Sequence, residues 1–199
     1  MSFAKEATTM NTQPLLSIIT INLNDAPGLE RTLKSLENQK FRNYEHIIID
    51  GGSKDHSIDV IMYYNKEYKG IKNGLYWVSE PDKGIFNAMN KGIQKSMGTY
   101  CLFLNSGDKL INNSTLEKIF NEKTIQDYDI IYCDSQTEKG ILQYPDTLDI
   151  IFFTGGTISH QSTLIKREQF LKSGLYDEDL KIVSDWKFWI KAIIIDKCK

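Results

Sequence analysis

Hydrophobic and polar positions fall along this chain in alternating blocks of two kinds, and the order of the blocks predicts an architecture. LLSIITIN, Leu15 to Asn22, is a short Ile-rich run closed by N-D-A-P-G, which predicts a buried strand and then a turn. Leu29, Leu33 and Leu36 follow at helical spacing. EHIIID, Glu45 to Asp50, predicts a second buried strand, broken by GGSKDHS before a helical stretch with Ile58, Ile61 and Met62. LYWVSE, Leu75 to Glu80, predicts a third strand stopped by Pro81. IFNAMNKGIQKSM then places Ile85, Met89, Ile93 and Met97 on one helical face, and YCLFLNSGD supplies a fourth strand. Beyond it the pattern is irregular: IIYCD suggests a strand, and QYPDTLDIIFFTGG a loop with a short apolar piece.

Strands that alternate with amphipathic helices predict an α/β domain with a mainly parallel sheet covered on both faces. Ligands of such sheets sit at the carboxyl ends of the strands. Those ends carry Asn22 to Asp25, Asp50, Glu80 with Asp82, and Asp108. Asp50, before Gly-Gly, can accept a hydrogen bond from a bound base or cap the next turn, and the residues leave both open. In EPDKGIFNAMNKG, Gly84 lets the backbone approach a ligand, and the helix N-terminus behind it attracts a phosphate. Asp82 would repel that phosphate unless it meets a ribose hydroxyl or a base donor. Asn90 and Lys91 are expected on the polar side of that helix, within reach of a ligand or simply solvated. Asp108 is either a turn residue in S-G-D-K or a ligand of Mg2+ or Mn2+, which need only one or two carboxylates beside phosphates and water. His46 reads as structural and His56 as solvated, whereas His160, beside Gln161 at the mouth of an apolar stretch, is a ligand candidate or a satisfied structural ring. Asp185 precedes a strongly aromatic helix. It competes with Ser184 as N-cap, or serves as a general base whose proton affinity an apolar wall raises.

Composition changes this picture by exclusion. With 199 residues, 41% hydrophobic and 25% charged, the chain suits one globular domain. A formal charge of -2 gives no basis for a nucleic-acid partner. Cys101, Cys133 and Cys198 are odd in number and lack C-x-x-C spacing, as expected for a reduced, cytoplasmic protein. The polar segment 1–13 has no signal-peptide core and reads as a disordered lead-in, which leaves 14–199 as the domain. Walker, G-x-G-x-x-G, H-E-x-x-H and G-x-S-x-G sequences are missing, which argues against P-loop kinases, nicotinamide enzymes, zinc proteases and serine hydrolases.

Taken in order, SIITINLNDAPGLERTLKSLENQ, IIIDGGSKDHS, SEPDKGIFNAMNKGIQKSMGTYCLFLNSGD and SHQSTLIKREQFLKSGLYDEDLKIVSDWKFWIKA resemble family 2 glycosyltransferases of the GT-A fold. The branch most resembled builds bacterial surface polysaccharides, including the colanic-acid type, and the likeness runs from about Leu16 to the C-terminus. The resemblance implies a single Rossmann-like domain and transfer of a sugar from a nucleotide-diphosphate donor, by family habit a UDP-sugar, to an acceptor hydroxyl with inversion. It implies that Asp50 contacts the base, with Asn22, Asn24 and Ser53 lining the same pocket. Asp82 would hold the nucleoside with Lys83 and Gly84 alongside, Asp108 the metal, and Asp185 would be the base. Helix amides after Gly84, and His160, would share the charge on the diphosphate. Asn105 and Gly107 stand where many relatives carry another carboxylate, which implies low metal affinity without donor. The chain stops at Lys199, where relatives usually carry more residues over the acceptor side; it is either compact or truncated. Lipid-linked acceptors are common in this branch, so IIFFTGG, Ile150 to Gly156, either touches a membrane surface or packs inside. Two other classes stay open: a sugar-phosphate nucleotidyltransferase, although NLNDAPG lacks the basic residue such loops carry, and a non-catalytic nucleotide-sugar-binding module.

Overall fold

The computed structural model describes residues 13–67 and 74–199. Of the expected lead-in 1–13, all but Gln13 lies outside the described residues. The strands are β1 (Leu16–Asn22), β2 (Tyr44–Asp50), β3 (Leu75–Ser79), β4 (Tyr100–Phe103), β5 (Ile130–Tyr132), β6 (Ser135–Thr137), β7 (Gly140–Leu142) and β8 (Thr163–Lys166). The α-helices are α1 (Ala26–Glu37), α2 (Ser57–Glu67), α3 (Ile85–Lys95), α4 (Thr115–Asn121), α5 (Ile150–Gly155), α6 (Arg167–Ser173) and α7 (Ser184–Trp189), the last continued by a π-helical turn, Ile190–Ile195.

Six strands form one sheet in the order β3-β2-β1-β4-β8-β5. β3, β2, β1 and β4 run parallel, and β8 is antiparallel to both β4 and β5. The expected mainly parallel α/β sheet is therefore present. β5 ends opposite the start of β8, with Tyr132 paired to Thr163. β6 and β7 make a separate hairpin between those two strands.

Strand residues are apolar on both faces because helices cover both. Ile19, Ile47, Ile49 and Phe103 pack with Phe86, Met89, Phe170, Tyr176, Phe188 and Trp189. On the opposite face Leu16, Ile18 and Tyr100 meet Leu36 and Leu116, while Ile48 meets Leu29, Leu33 and Ile61. The turn from α3 into β4 passes so close to β1 that a Cβ on Gly98 would lie 2.5 Å from the Ser17 backbone nitrogen. Buried Glu45 fixes the turn by accepting from Ser17 Oγ (2.6 Å) and from the backbone N–H of Met97 (2.6 Å) and Gly98 (3.2 Å).

Several local expectations are corrected. The N-D-A-P-G turn already starts α1: Asp25 is its N-cap, accepting from Gly28 N–H at 3.0 Å, and Pro27 sits in the first turn, where its missing N–H costs nothing. α3 ends at Lys95, so Met97 lies outside it, and Ile85 is exposed; Phe86 and Ala88 join Met89 and Ile93 on the buried face instead. Met62 is exposed on α2, where Ile61 faces inward. IIFFTGG forms helix α5, which buries Phe153 but leaves Ile150 and Ile151 exposed, so the packing reading holds for only part of it. Neither Ser184 nor Asp185 caps α7: Val183 occupies the cap position, and Asp185 lies in the first turn.

Candidate active site

The parallel register brings the tips of β1, β2 and β4 together, and a polar network joins them. Asn22 Nδ2 donates to Asp50 Oδ1 at 2.7 Å, and Ser106 Oγ donates to Asn22 Oδ1 at 2.7 Å. Asp50 is fully buried and also accepts from Ser53 Oγ (2.5 Å), Ser79 Oγ (2.6 Å) and the N–H groups of Ser53 (2.9 Å) and Gly52 (3.2 Å). Burial pushes its pKa up, but the bonds from Ser53, Ser79 and Asn22 outweigh this and hold the carboxyl below its ordinary value. Asp50 therefore caps the β2 turn, and a bound base reaches it only by displacing one of these five donors. Asn24, at φ 52°, accepts from Lys54 N–H at 2.7 Å, while its own N–H donates to Ser53 Oγ at 2.7 Å. Asn22, Asn24, Asp50 and Ser53 thus meet as one cluster.

The loop after β3 leans on that cluster. Gly51 has no side chain where a Cβ would come within 2.6 Å of Asp82 Oδ2. Asp82 accepts from Gly84 N–H at 2.9 Å, and Gly84 holds φ 126°, a conformation that favours glycine. Lys83 and Gly84 line an open cleft of about 180 Å³ shared with Glu178 and Lys181. Asn90 is corrected: it is 3% exposed rather than on a solvated face. Its amide donates to Tyr176 O and Glu178 Oε1 and accepts from Tyr176 N–H, which commits the side chain to holding the segment before α7. Lys91 pairs with Glu80 at 2.7 Å.

At the β4 tip, Asp108 accepts from Asn105 N–H at 3.1 Å, and burial raises its pKa. Thr32, buried on α1, holds this loop by accepting from Gly107 N–H (3.0 Å) and donating to Asp108 O (2.7 Å). Sequence reasoning missed Thr32; its signal is a polar residue inside the Leu29, Leu33, Leu36 stripe. His160 bridges two candidates: its Nε2 lies 3.2 Å from Asn105 Nδ2 and its Nδ1 3.1 Å from Asp185 Oδ2. Asp185 and Asp108 thereby belong to one connected site, joined by Asn105 and His160. His46 and His56 fall as expected, one buried beside Thr20 and the other exposed beside Asp59.

Does this site suit a divalent cation? Among the described residues no three His, Cys, Asp or Glu side chains gather to hold one. Asp108 offers a single carboxylate, and the buried Asn105 Oδ1 beside it has no hydrogen-bond partner among the described residues, so it is a spare oxygen acceptor for a cation-bound water. Such a set fits Mg2+ or Mn2+ when phosphate and water complete the shell.

Residues 17–172 match the glycosyl transferase family 2 model. The chain belongs to glycosyl transferase family 2. An uncharacterised glycosyltransferase of Mycobacterium tuberculosis is 32% identical over 194 residues, covering 94% of this chain and 71% of that protein. A PGL/p-HBAD biosynthesis glycosyltransferase of Mycobacterium bovis is 28% identical over 184 residues, 90% of this chain and 70% of that one. Among solved structures, the S. aureus TarS fragment in complex with UDP-GlcNAc superimposes with a TM-score of 0.71 at 19% identity, covering 89% of this chain and 52% of that one. The mannosyltransferase PcManGT from Pyrobaculum calidifontis, with GDP-Man and Mn2+, gives 0.73 at 16% identity, covering 92% and 53%. This chain therefore spans about half the length of those solved structures. The likeness carries the GT-A fold, and family membership makes the chain a glycosyltransferase. The family 2 match takes in every candidate from Asn22 to His160; Asp185 lies beyond it. Among the described residues, no helix is long and apolar enough to cross a membrane.

Proposed function

We propose that this glycosyltransferase moves a sugar from a nucleotide-diphosphate sugar, a UDP-sugar, to an acceptor hydroxyl with inversion at the anomeric carbon. One observation carries the reading: the β1 and β2 tips, the Asp82 loop, the Asp108 loop and Asp185 line one edge of the sheet, and His160 ties the last two together. The Asn22, Asn24, Asp50 and Ser53 cluster, with Asp82, Lys83 and Gly84, receives the nucleoside. The Asn105 to Asp108 loop faces the diphosphate, and His160, with both ring nitrogens engaged by Asn105 and Asp185, stands behind it. Asp185 takes the proton from the acceptor hydroxyl as that oxygen forms its bond to the anomeric carbon and the nucleoside diphosphate leaves, a single displacement that inverts the centre. Asp108 would hold Mg2+ or Mn2+, which when bound neutralises charge on the departing diphosphate as a Lewis acid.

The pathway proposed is bacterial cell-surface polysaccharide synthesis of the colanic-acid type, with a saccharide or lipid-linked saccharide as acceptor. The exposed pair Ile150 and Ile151 suits peripheral contact with the inner face of the cytoplasmic membrane, where such an acceptor is met. The test is incubation of the protein with Mn2+ and a panel of UDP- and GDP-sugars, with release of nucleoside diphosphate as readout. Release from a UDP-sugar is expected. Pyrophosphate formed from a nucleoside triphosphate and a sugar phosphate would replace this reading by the nucleotidyltransferase, and binding without release under any acceptor would replace it by the binding module. Asp108→Ala is expected to weaken Mn2+-dependent UDP binding by calorimetry; an unchanged metal dependence removes Asp108 from the metal site.

A further inference from the structure

His160 sits in the 3-10 turn His160–Ser162 that opens β8, the strand paired with β4, so its ring is anchored on the same piece of sheet as Asn105 and Asp108. Phe103 of β4 meets it edge-to-face, with ring centroids 6.3 Å apart. The ring is 12% exposed and the Asp185 side chain 16% exposed. Asp185 has few other restraints. Its Oδ1 accepts from Trp186 N–H at 2.8 Å, its helix is six residues long, and no side chain caps that helix. What aims its second oxygen is the imidazole.

For an ionised Asp185 beside a neutral ring, hydrogen-bond chemistry fixes which ring nitrogen carries the proton. An ionised carboxylate only accepts, so the nitrogen facing Asp185, Nδ1, must donate. A neutral imidazole has one N–H, which leaves Nε2 as an acceptor facing Asn105. Asn105 must then present its NH2 to the ring, and this is the orientation that leaves Asn105 Oδ1 as the buried oxygen without a partner. Asn105 also donates its backbone N–H to Asp108 Oδ2. Three hydrogen bonds therefore run in line from Asp108 through Asn105 and His160 to Asp185.

We propose that His160 is a positioning residue for Asp185: its Nδ1–H aims the carboxylate, and its Nε2 fastens that aim to the Asn105 to Asp108 loop. The inference rests on the reading of Asp185 as the base. The proton taken from the acceptor hydroxyl ends on Asp185, and His160 neither gains nor loses one. Its contribution is to keep the base at a set distance from the loop that faces the departing group, where a displacement of about 1 Å can cost on the order of 100-fold in rate.

Two variants separate aiming from packing. His160→Asn places an amide N–H near the position of Nδ1 and keeps a donor to Asp185; His160→Gln reaches the position of Nε2 and loses it. With the nucleotide sugar of the panel that turns over fastest, kcat is expected to fall about 100-fold in His160→Gln with donor KM unchanged, and no more than about tenfold in His160→Asn. Equal losses in the two variants, or a loss confined to KM, would overturn the proposal. A second measurement needs no turnover. In a nitrogen-15 histidine spectrum of the wild-type protein, His160 is expected as the Nδ1–H tautomer, and the Nε2–H tautomer would overturn the proposal. A wild type that releases nothing from any nucleotide sugar fails the transfer reading, while the tautomer still decides the role of His160.

Discussion

At the tip of β2, Asp50 collects five hydrogen bonds from four residues; at the start of α7, Asp185 collects two, one of them from its own next neighbour. The contrast extends to their surroundings. The first half of the domain is a parallel sheet with nearly every strand side chain buried in β1, β2 and β4. The second half carries short antiparallel strands and broad apolar exposure, with Ile141, Ile151 and Ile182 all more than two-thirds exposed. Close to Asp185, the buried Tyr176 hydroxyl, Ser184 hydroxyl and Trp189 indole N–H have no hydrogen-bond partner among the described residues. A side chain held by many short local bonds is preorganised before a ligand arrives. One held through a single imidazole depends on that imidazole. The nucleoside side of the proposed site belongs to the first kind, and the base side to the second.

The comparison can be broken from either side, and acid acts most on the first half. Thr20 Oγ1 donates to Leu104 O (2.8 Å), so it accepts from Nε2–H of buried His46 (2.9 Å). Burial lowers the pKa of this ring from 6.5 to about 3. The unfolded chain binds the proton between those values and the folded one does not, so stability is complete above pH 6.5 and falls as pH drops toward 3. The gap corresponds to at most about 5 kcal/mol. Urea unfolding across this range should show a steep loss in the wild-type protein that is flatter in His46→Gln. On the other side, Asp185→Asn is expected to cost about 1,000-fold in kcat with UDP affinity unchanged, and normal turnover would remove it as the base.

Asp50→Asn sharpens the contrast. It sets an NH2 group against donors that had a carboxylate oxygen, and the cost should be about 3 kcal/mol of stability by denaturant unfolding. The smallest effect is expected from Ile182→Ser, since Ile182 is 84% exposed: a change within about 0.5 kcal/mol. A larger loss there would mean that the second half is bound together more tightly than its exposure indicates.

Legibility followed the same division. The strands of the first half were readable because each is a continuous apolar run between turn residues, and the parallel sheet follows from their alternation with helices. Asp50, Asp82 and Asp108 were readable as strand-end acids. What hid from the sequence was pairing across distance. The bond between His160 and Asp185 spans 25 positions, and the one between His160 and Asn105 spans 55, with no periodicity to announce either. Asn90 misled because a polar residue on an amphipathic helix reads as solvated, whereas here the Tyr176 to Glu178 segment folds over it. Asp185 and Ser184 misled as caps because the residue types favoured at an N-cap are also common in the first turn, and only backbone geometry separates them.

The register at the far edge of the sheet bears on how such a chain can change. Tyr132 and Thr163 are partners, and Cys133 N–H donates to Ser162 O at 2.9 Å, so the excursion that carries β6, β7 and α5 leaves the sheet and returns to the same spot. A loop closed at its base can lengthen cheaply, at about 0.6 kcal/mol for each doubling. Only the hairpin is free of the core, with Ile141 and Leu142 exposed; Phe153 of α5 and Ile158 stay packed in it, close before His160. The fold thus sets an exposed hairpin on a stalk closed at its base, so that length added at the hairpin tip leaves the bonds from Asn105 through His160 to Asp185 where they are.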